Sequence, residues 1–374
     1  MKKATRQHTK QHNSHLILKT IYSEEKISRA DIARATGLTK ATVSSIVSDL
    51  MEEEYVAEAG FGPSIGGKRP RLLGFAEDAR HLIALDLSSE SFQGALVNLR
   101  GVMVHQITLP VDGRTGEAAL NLVYHLLDQL LENATRPLFG IGIGTPGLVD
   151  ANKGIVKSAV NLGWQDIPLK HLLKERYNLP VYIANDSHLA GFASYSFGQH
   201  DTNNLVLINT GRGIGAGIVL NGQLYHGESF GAGEIGHVTV VPDGDVCSCG
   251  NRGCLETVAS VRSLVAQSQM SWDKLVQANK EQDERIVALV HKAGGYMGTA
   301  VAFLIGILNV KHIVISGEMV RLGEPYLHAI QTAVQKQVLP SITVETTIQY
   351  VTISENIILL GASAYVLDKQ LGVI

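Results

Sequence analysis

All three cysteines of this 374-residue chain fall within eight positions, Cys247-Ser248-Cys249-Gly250-Asn251-Arg252-Gly253-Cys254, and His237 lies ten residues upstream. An odd number of cysteines crowded into one loop fits poorly with a disulfide framework and points to metal binding in a reducing compartment. One imidazole and three thiolates make a soft tetrahedral donor set that selects zinc, and the glycines let a short loop fold back around the ion. With His237, Cys247, Cys249 and Cys254 all bound, the shell is closed and no position remains for an activated water. One structural Zn2+ per chain is therefore expected. The alternative is three ordinary cysteines beside an unrelated histidine.

At about 150 residues per domain the length suggests two or three domains. The 45% hydrophobic and 18% charged composition excludes disorder and supplies a sizeable core. The net charge of −3 conceals a reversal along the chain. Residues 1–80 carry 13 Lys and Arg against 10 Asp and Glu, whereas residues 81–374 carry 19 against 25. The front can meet a polyanion that the remainder would repel. The basic start, Met1-Lys2-Lys3, is followed by an apolar run, Leu16–Leu18, too short for a signal-peptide core. Residues 293–310 lack charge for 18 positions, but they include four glycines and continue the charged helical pattern from Glu284. They are expected to form a buried core helix and not a membrane span. A cytoplasmic protein without membrane association is expected.

The basic front reads as a winged helix-turn-helix over residues 1–75. A first helix is expected from about Ser14 to Tyr22. A second opens at Ser28, where Ser28-Arg29-Ala30-Asp31 resembles a capping box, and stops at Gly37. A third begins at Thr39. Its apolar residues Val43, Ile46, Val47 and Leu50 follow the i, i+3, i+4, i+7 pattern and turn inward. That leaves Lys40, Ala41, Thr42, Ser44, Ser45 and Ser48 outward, a small polar face able to approach base edges in a major groove. The turn Thr36-Gly37-Leu38 suits a helix-turn-helix. After a strand at 55–58, the glycines beside Lys68, Arg69 and Arg71 would let a basic wing track phosphates. The expected DNA contacts are Thr39, Lys40, Ala41, Thr42, Ser44, Ser45, Lys68, Arg69 and Arg71. The alternative is a three-helix protein-interaction module with a solvated basic loop.

From His81 to Ile374 strand and helix patterns alternate, predicting an α/β body. A meander at 81–87, 92–98 and 102–109 precedes a helix at 115–132 and a strand at 139–143. The order recurs at 205–209, 215–220 and 223–225, followed by a helix at 283–308 and a strand at 312–315. Two related lobes with a ligand cleft between them are expected.

Gly233-Glu234-Ile235-Gly236-His237 and the Cys-x-Cys-Gly-x-x-Gly-Cys-x-Glu pattern ending at Glu256 make residues 81–374 resemble the ROK family of sugar kinases and sugar-responsive repressors. With the head included, the whole chain resembles the family's xylose, glucose and N-acetylglucosamine repressors. The resemblance implies an actin-like, two-lobed sugar kinase fold and zinc at the four residues named above. It also implies sugar binding between the lobes. Gly144-Thr145-Pro146-Gly147 matches the family's substrate loop, Asn161 its sugar-binding asparagine, and Asn185-Asp186 the pair whose carboxylate is the catalytic base in family kinases. Glu234, His237 and Glu256 match the remaining sugar contacts. Amides and carboxylates of this kind can take several sugar hydroxyls at once. The plainer reading is that Asn161 and Asp186 only cap helices or turns.

Two of the three nucleotide elements of the family's kinases are altered. Their first phosphate turn is Asp-x-Gly-Gly-Thr, where this chain has Asp86-Leu87-Ser88-Ser89-Glu90. The second, Thr210-Gly211-Arg212-Gly213-Ile214-Gly215, keeps its glycines but places Arg212 where threonine is usual. The third has Ser316-Gly317-Glu318 in place of paired glycines. The resemblance thus implies a regulator without enzymatic activity, whose grip on operator DNA is altered by a monosaccharide such as xylose, glucose or a related sugar. It would act as a homodimer or a tetramer. The alternative is an active ATP-dependent sugar kinase with a fused regulatory head.

Overall fold

The computed structural model describes residues 6–63, 69–88, 90–198, 200, 202–353 and 356–374. At its front, α1 (Arg6–Ser23), β1 (Ile27–Ser28), α2 (Arg29–Thr36) and α3 (Lys40–Glu52) precede the hairpin β2 (Val56–Phe61) and β3 (Arg71–Phe75). The caps lie where the sequence puts them. The Ser28 hydroxyl accepts from the Asp31 amide and donates to the Asp31 carboxylate, and Gly37 ends α2 with φ +69°. The Thr39 hydroxyl accepts from the Thr42 amide at the start of α3. Val43, Ile46, Val47 and Leu50 are all buried, each stabilising the packed state by roughly 1.5–3 kcal/mol. Helix α1 starts earlier than the apolar pattern predicts. Residues 8–12 are exposed and polar, so they leave no periodic trace. Strand β3 pairs antiparallel with both β1 and β2, which completes the wing.

The body is a duplication. In the first lobe β4 (His81–Asp86), β5 (Ser91–Asn98), β6 (Met103–Pro110), α4 (Gly116–Glu132) and β7 (Leu138–Thr145) come in the expected order. A small sheet of β8 (Leu148–Asp150), β9 (Ile155–Ala159) and β10 (Trp164–Ile167) follows, then α5 (Leu169–Tyr177), β11 (Val181–Asn185) and α6 (Asp186–Phe197). The second lobe holds β12 (Leu205–Thr210), β13 (Ile214–Leu220), β14 (Gln223–Leu224), α7 (Leu255–Ala259), α8 (Val261–Ser268), α9 (Trp272–Lys280) and α10 (Glu284–Leu308). It ends with β15 (His312–Gly317), α11 (Glu324–Gln337), α12 (Pro340–Thr343), β16 (Thr347–Tyr350) and α13 (Ile357–Leu371). The sheet orders β11-β7-β4-β5-β6 and β16-β15-β12-β13-β14 are the same five-stranded plan. In each, the first three strands named run parallel and the rest antiparallel.

The lobes exchange helices. Helix α6, which ends the first lobe, packs on β12 and β13, while α13, which ends the second, packs on β4 and β7. The two helices cross closely. A Cβ on Gly361 of α13 would lie 2.0 Å from the Leu189 carbonyl of α6, and α6 lies as tightly on the sheet, where a Cβ on Gly191 would lie 2.7 Å from the Gly217 Cα of β13. Helix α10 is the only described helix long and apolar enough to span a membrane. It is a core element, as expected. Ile286, Val290, Met297, Val301 and Ile305 are buried in the second lobe, and its Gly294 and Gly298 admit Ala329 and Ala333 of α11.

The head shares one apolar cluster with the first lobe, in which Ile17, Ile21 and Leu73 join Leu82, Val97 and Leu371. Arg100 of the body covers the Tyr22 ring at 4.2 Å, and Arg80 covers Tyr55 at 4.5 Å. Tyr55 in turn meets Phe139 edge-on, with ring centroids 6.1 Å apart.

Candidate functional site

Asn185 and Asp186 sit where β11 becomes α6, at the junction of the lobes. The Asn185 side chain caps the helix, its oxygen accepting from the amides of Ser187 at 2.9 Å and His188 at 3.1 Å. Its amide group donates to the Gly147 carbonyl at 2.9 Å, which stitches the 144–147 loop to α6. Gly147 has φ +85°, and a Cβ there would lie 2.0 Å from the Ser158 carbonyl, so a larger residue would displace the loop.

Asp186 accepts from the Ser187 amide at 2.6 Å. Burial, together with the nearby Asp86 carboxylate, nevertheless pushes its pKa up to about 7. Asp86, at the end of β4, is buried. Desolvation raises it to about 6, against hydrogen bonds from the Ser88 amide and hydroxyl. Two facing carboxylates raised into the neutral range can both accept from and donate to hydroxyl groups, and such perturbed pairs mark functional clefts. The sequence reading placed Asp86 only in an altered phosphate turn. Its field on Asp186 depends on the pairing of β4 with β7, which no local motif records.

Glu234 stands at the edge of this cluster. Partial burial raises its pKa, opposed by His237 and reinforced by Glu256. The Glu256 carboxylate accepts from the Ile214 amide at 3.2 Å, which ties the start of α7 to the β12–β13 turn. Asp86, Asp186, Glu234, His237 and Glu256 are thus electrostatically linked. Asn161 is exposed on a single 3-10 turn, Val160–Leu162, ahead of β10.

The loop from His237 to Cys254 gathers its four predicted ligand atoms within 4.8 Å of one another. Cys249 and Cys254 Sγ are 3.7 Å apart, and His237 Nδ1 is 3.5 Å from Cys247 Sγ. Thiolates about 2.3 Å from a tetrahedral zinc stand about 3.8 Å apart, so the spacing fits that ion. Burial and the neighbouring Cys249 push the Cys254 thiol up to about 12, whereas a backbone hydrogen bond at Asn251 lowers Cys249; a bound cation would favour the thiolate at Cys254. His237 turns its other nitrogen, Nε2, toward Glu234 Oε2 at 3.9 Å. A carboxylate behind a ligating imidazole fixes the ring, and here the same carboxylate faces the cleft.

Two equivalent hairpin turns, β4–β5 and β12–β13, face each other across the cleft. Arg212 of the second reaches Glu90 of the first at 2.9 Å. Glu318 Oε1 lies 3.7 Å from where a Cβ on Gly211 would stand. Ser89 lies outside the described residues.

On the head, Lys40, Ala41, Ser44, Ser45 and Ser48 of α3 are exposed together, and Thr42 is half-buried. The Thr39 and Thr42 hydroxyls bond each other at 2.9 Å, so both serve the cap. Arg69 is exposed. Arg71 opens β3 and is paired with Glu58, placing it on a strand of the wing and not at its tip. Lys68, with Gly66 and Gly67, lies outside the described residues.

Residues 82–369 match the ROK family, and residues 11–57 match the winged helix-turn-helix DNA-binding family. The xylose repressor of Caldicellulosiruptor bescii is 32% identical over 386 residues, covering 97% of this chain and 97% of its own length. The glucokinase of Halalkalibacterium halodurans is 31% identical over 317 residues, covering 78% of this chain and 96% of its own. Among solved structures, a ROK family transcriptional regulator described as a homologue of the E. coli MLC protein superposes with a TM-score of 0.88. It covers 98% of both chains at 25% identity.

Proposed function

Because the chain belongs to the ROK family and carries a winged helix-turn-helix ahead of the family domain, we propose that it is a sugar-responsive DNA-binding repressor acting in the cytoplasm. One observation carries this reading. The similarity to a xylose repressor runs through head and body alike over 97% of the chain, whereas the glucokinase matches 78% of it. Helix α3 presents its small polar face to the major groove, and Arg69 with the wing meets phosphate. The monosaccharide, xylose or a related sugar, sits between the lobes on Asp186, Glu234, His237 and Glu256, with Asn161 closing from the small sheet and Asn185 holding the loop. Zinc at His237, Cys247, Cys249 and Cys254 fixes the segment that carries three of these groups.

The sugar acts by preferring one arrangement of the lobes. Only that differential affinity can move the operator equilibrium. Since the head packs directly on β4, β5 and α13 with an apolar seam, a shift between the lobes re-aims α3. A homodimer, alone or paired into a tetramer, would place two such helices on half-sites about one or more helical turns apart.

A kinase reading has one point in its favour, the intact carboxylate Asp186 in the position of the family's base. Against it, Arg212 and Glu90 join across the cleft where the resemblance places the phosphates of a nucleotide, and Glu318 adds a carboxylate beside Gly211. Like charge at that turn repels a triphosphate. We therefore read the chain as one that binds sugar without phosphorylating it.

Mobility shifts with DNA from around its own coding sequence should show a specific complex, and one member of a panel of xylose, glucose and N-acetylglucosamine should weaken it. Ser45→Glu on the exposed face of α3 is expected to reduce operator affinity by roughly tenfold or more, by placing a carboxylate against the DNA. Failure of the purified protein to bind any such DNA, or indifference to all three sugars, overturns the proposal. Steady sugar-dependent release of ADP from ATP would establish the kinase instead.

A further inference from the structure

His188 and His226 have no place in the family resemblance, yet they meet behind the cleft. His188 lies in the first turn of α6 and is 4% exposed, and His226 follows β14. Their Nδ1 atoms are 3.1 Å apart, and His188 Nε2 is 2.7 Å from the Ala232 carbonyl. Tyr365 Oη of α13 is 3.4 Å from His226 Nε2.

A carbonyl acceptor at one end and one proton on each ring set the direction of every bond in this relay. The Ala232 carbonyl has no hydrogen to give, so His188 Nε2 donates. Burial holds both imidazoles below the ordinary histidine range, His226 at about 4, so each carries a single proton at neutral pH. His188 Nδ1 is then bare and accepts from His226 Nδ1. His226 Nε2 is bare in turn and accepts from the Tyr365 hydroxyl. The polarity runs Tyr365 to His226 to His188 to Ala232, with every ring nitrogen satisfied.

Position gives the chain its meaning. His188 stands two residues after Asp186, and Ala232 stands two residues before Glu234. The backbone around them leaves little slack. The His188 amide is held by the Asn185 cap, and Gly233, at φ +84°, accepts from the Ala216 amide at 2.8 Å. The His188–Ala232 bond is therefore a short tie between the segments that bear the two carboxylates.

We infer that His188 and His226 are positioning residues for the sugar site, setting Glu234 against Asp186 through the hydrogen bond from His188 to Ala232. This rests on the reading that those two carboxylates bind the sugar. Neither histidine touches the ligand. Its affinity depends on them because a site that must satisfy several hydroxyls at once loses binding when one group is misplaced.

Paired substitutions at each histidine separate positioning from bulk. At 188, glutamine can place an amide donor near the lost Nε2, while asparagine reaches only the Nδ1 position. Calorimetric titration of the full-length protein with xylose, glucose and N-acetylglucosamine should find affinity for the wild-type sugar lowered at least about fivefold in His188→Asn. His188→Gln should stay within about threefold of wild type, a rescue that general loosening of the fold would not produce. Operator binding without sugar reports whether each variant has folded. If His188→Asn does not fold, His226→Leu against His226→Asn makes the same comparison from the other ring, with Leu weakened and Asn retained. Wild type that binds sugar while both members of a pair bind it equally well overturns the positioning role alone. Wild type that binds none of the three sugars overturns the sugar-site reading, and this inference with it.

Discussion

Asp186→Asn should weaken sugar binding by roughly tenfold to a hundredfold, the loss expected when a charged hydrogen-bond partner becomes a neutral one. Asparagine keeps the shape and still accepts from Ser187, so the loss reports the carboxylate itself. The same substitution should make the protein more stable at alkaline pH. The Asp186 carboxyl is raised from an ordinary 3.8 to about 7, so the folded protein holds this proton more tightly than the unfolded chain does. Stability is therefore greatest below the unfolded value and falls as pH rises from about 4 to about 7. A rise of that size corresponds to at most about 4 kcal/mol, and the bonds from Ser187 and access from the cleft reduce it to roughly 1–2 kcal/mol. At about 2–4 °C per kcal/mol for a chain of this length, the variant should melt a few degrees above wild type at pH 8 and beside it at pH 4. Calorimetric melts at the two pH values, with sugar titration at pH 8, check both arms. Sugar affinity within twofold of wild type would remove Asp186 from the site. Operator binding in the absence of sugar, a property of the head, is the control for folding.

Asp186 is legible from a short motif, but its raised pKa comes from burial and from Asp86, a hundred residues earlier, brought near by the pairing of β4 and β11 with β7. Beyond the polar start of α1, the helices of the head are legible because their signals are local: Ser28, Gly37 and Thr39 fix the ends of α2 and α3, and Val43 to Leu50 fix the buried face. The two meanders and α10 were legible by period. Helix α6 was not. Ser187 through Ser194 are all buried, so the segment has no polar face and hence no 3.6-residue alternation to read. Without α6 the helix exchange between lobes is invisible, and so are the meetings it creates between His188 and His226 and between Asn185 and Gly147. The Arg212–Glu90 pair shows a middle case. Each residue departs from the kinase pattern in the sequence, and only the facing hairpins reveal that the departures complement each other.

Cys254→Ser is expected to have the second large effect, and it acts on the same cleft through a different route. Cys254 is fully buried, its Sγ lies 3.7 Å from that of Cys249, and it caps α7 two residues before Glu256. A serine hydroxyl is a poor zinc ligand, so metal analysis should fall from about one zinc per wild-type chain to near zero. Structural zinc in small domains contributes roughly 10–16 kcal/mol of folding energy. Here the second lobe has its own core of α10, α11 and β12–β15, so loss of the ion should loosen the 237–254 loop and leave the lobe folded. The consequence falls on function. His237 loses the ion that orients it, Glu234 loses the fixed imidazole beside it, and Glu256 loses the anchor of its helix. Sugar affinity should drop at least about tenfold, since three contacts slacken together. Operator binding without sugar should persist, because the head packs on the other lobe. Cys249→Ser, at an exposed ligand, should give the milder form of the same result. A chelator should reproduce it in wild type, and added zinc should reverse it there but not in Cys254→Ser. Metal-free protein with a full sugar response would mean that the four residues close the loop unaided, and the support assigned to zinc would then belong to the backbone bonds from Val240 and Leu255.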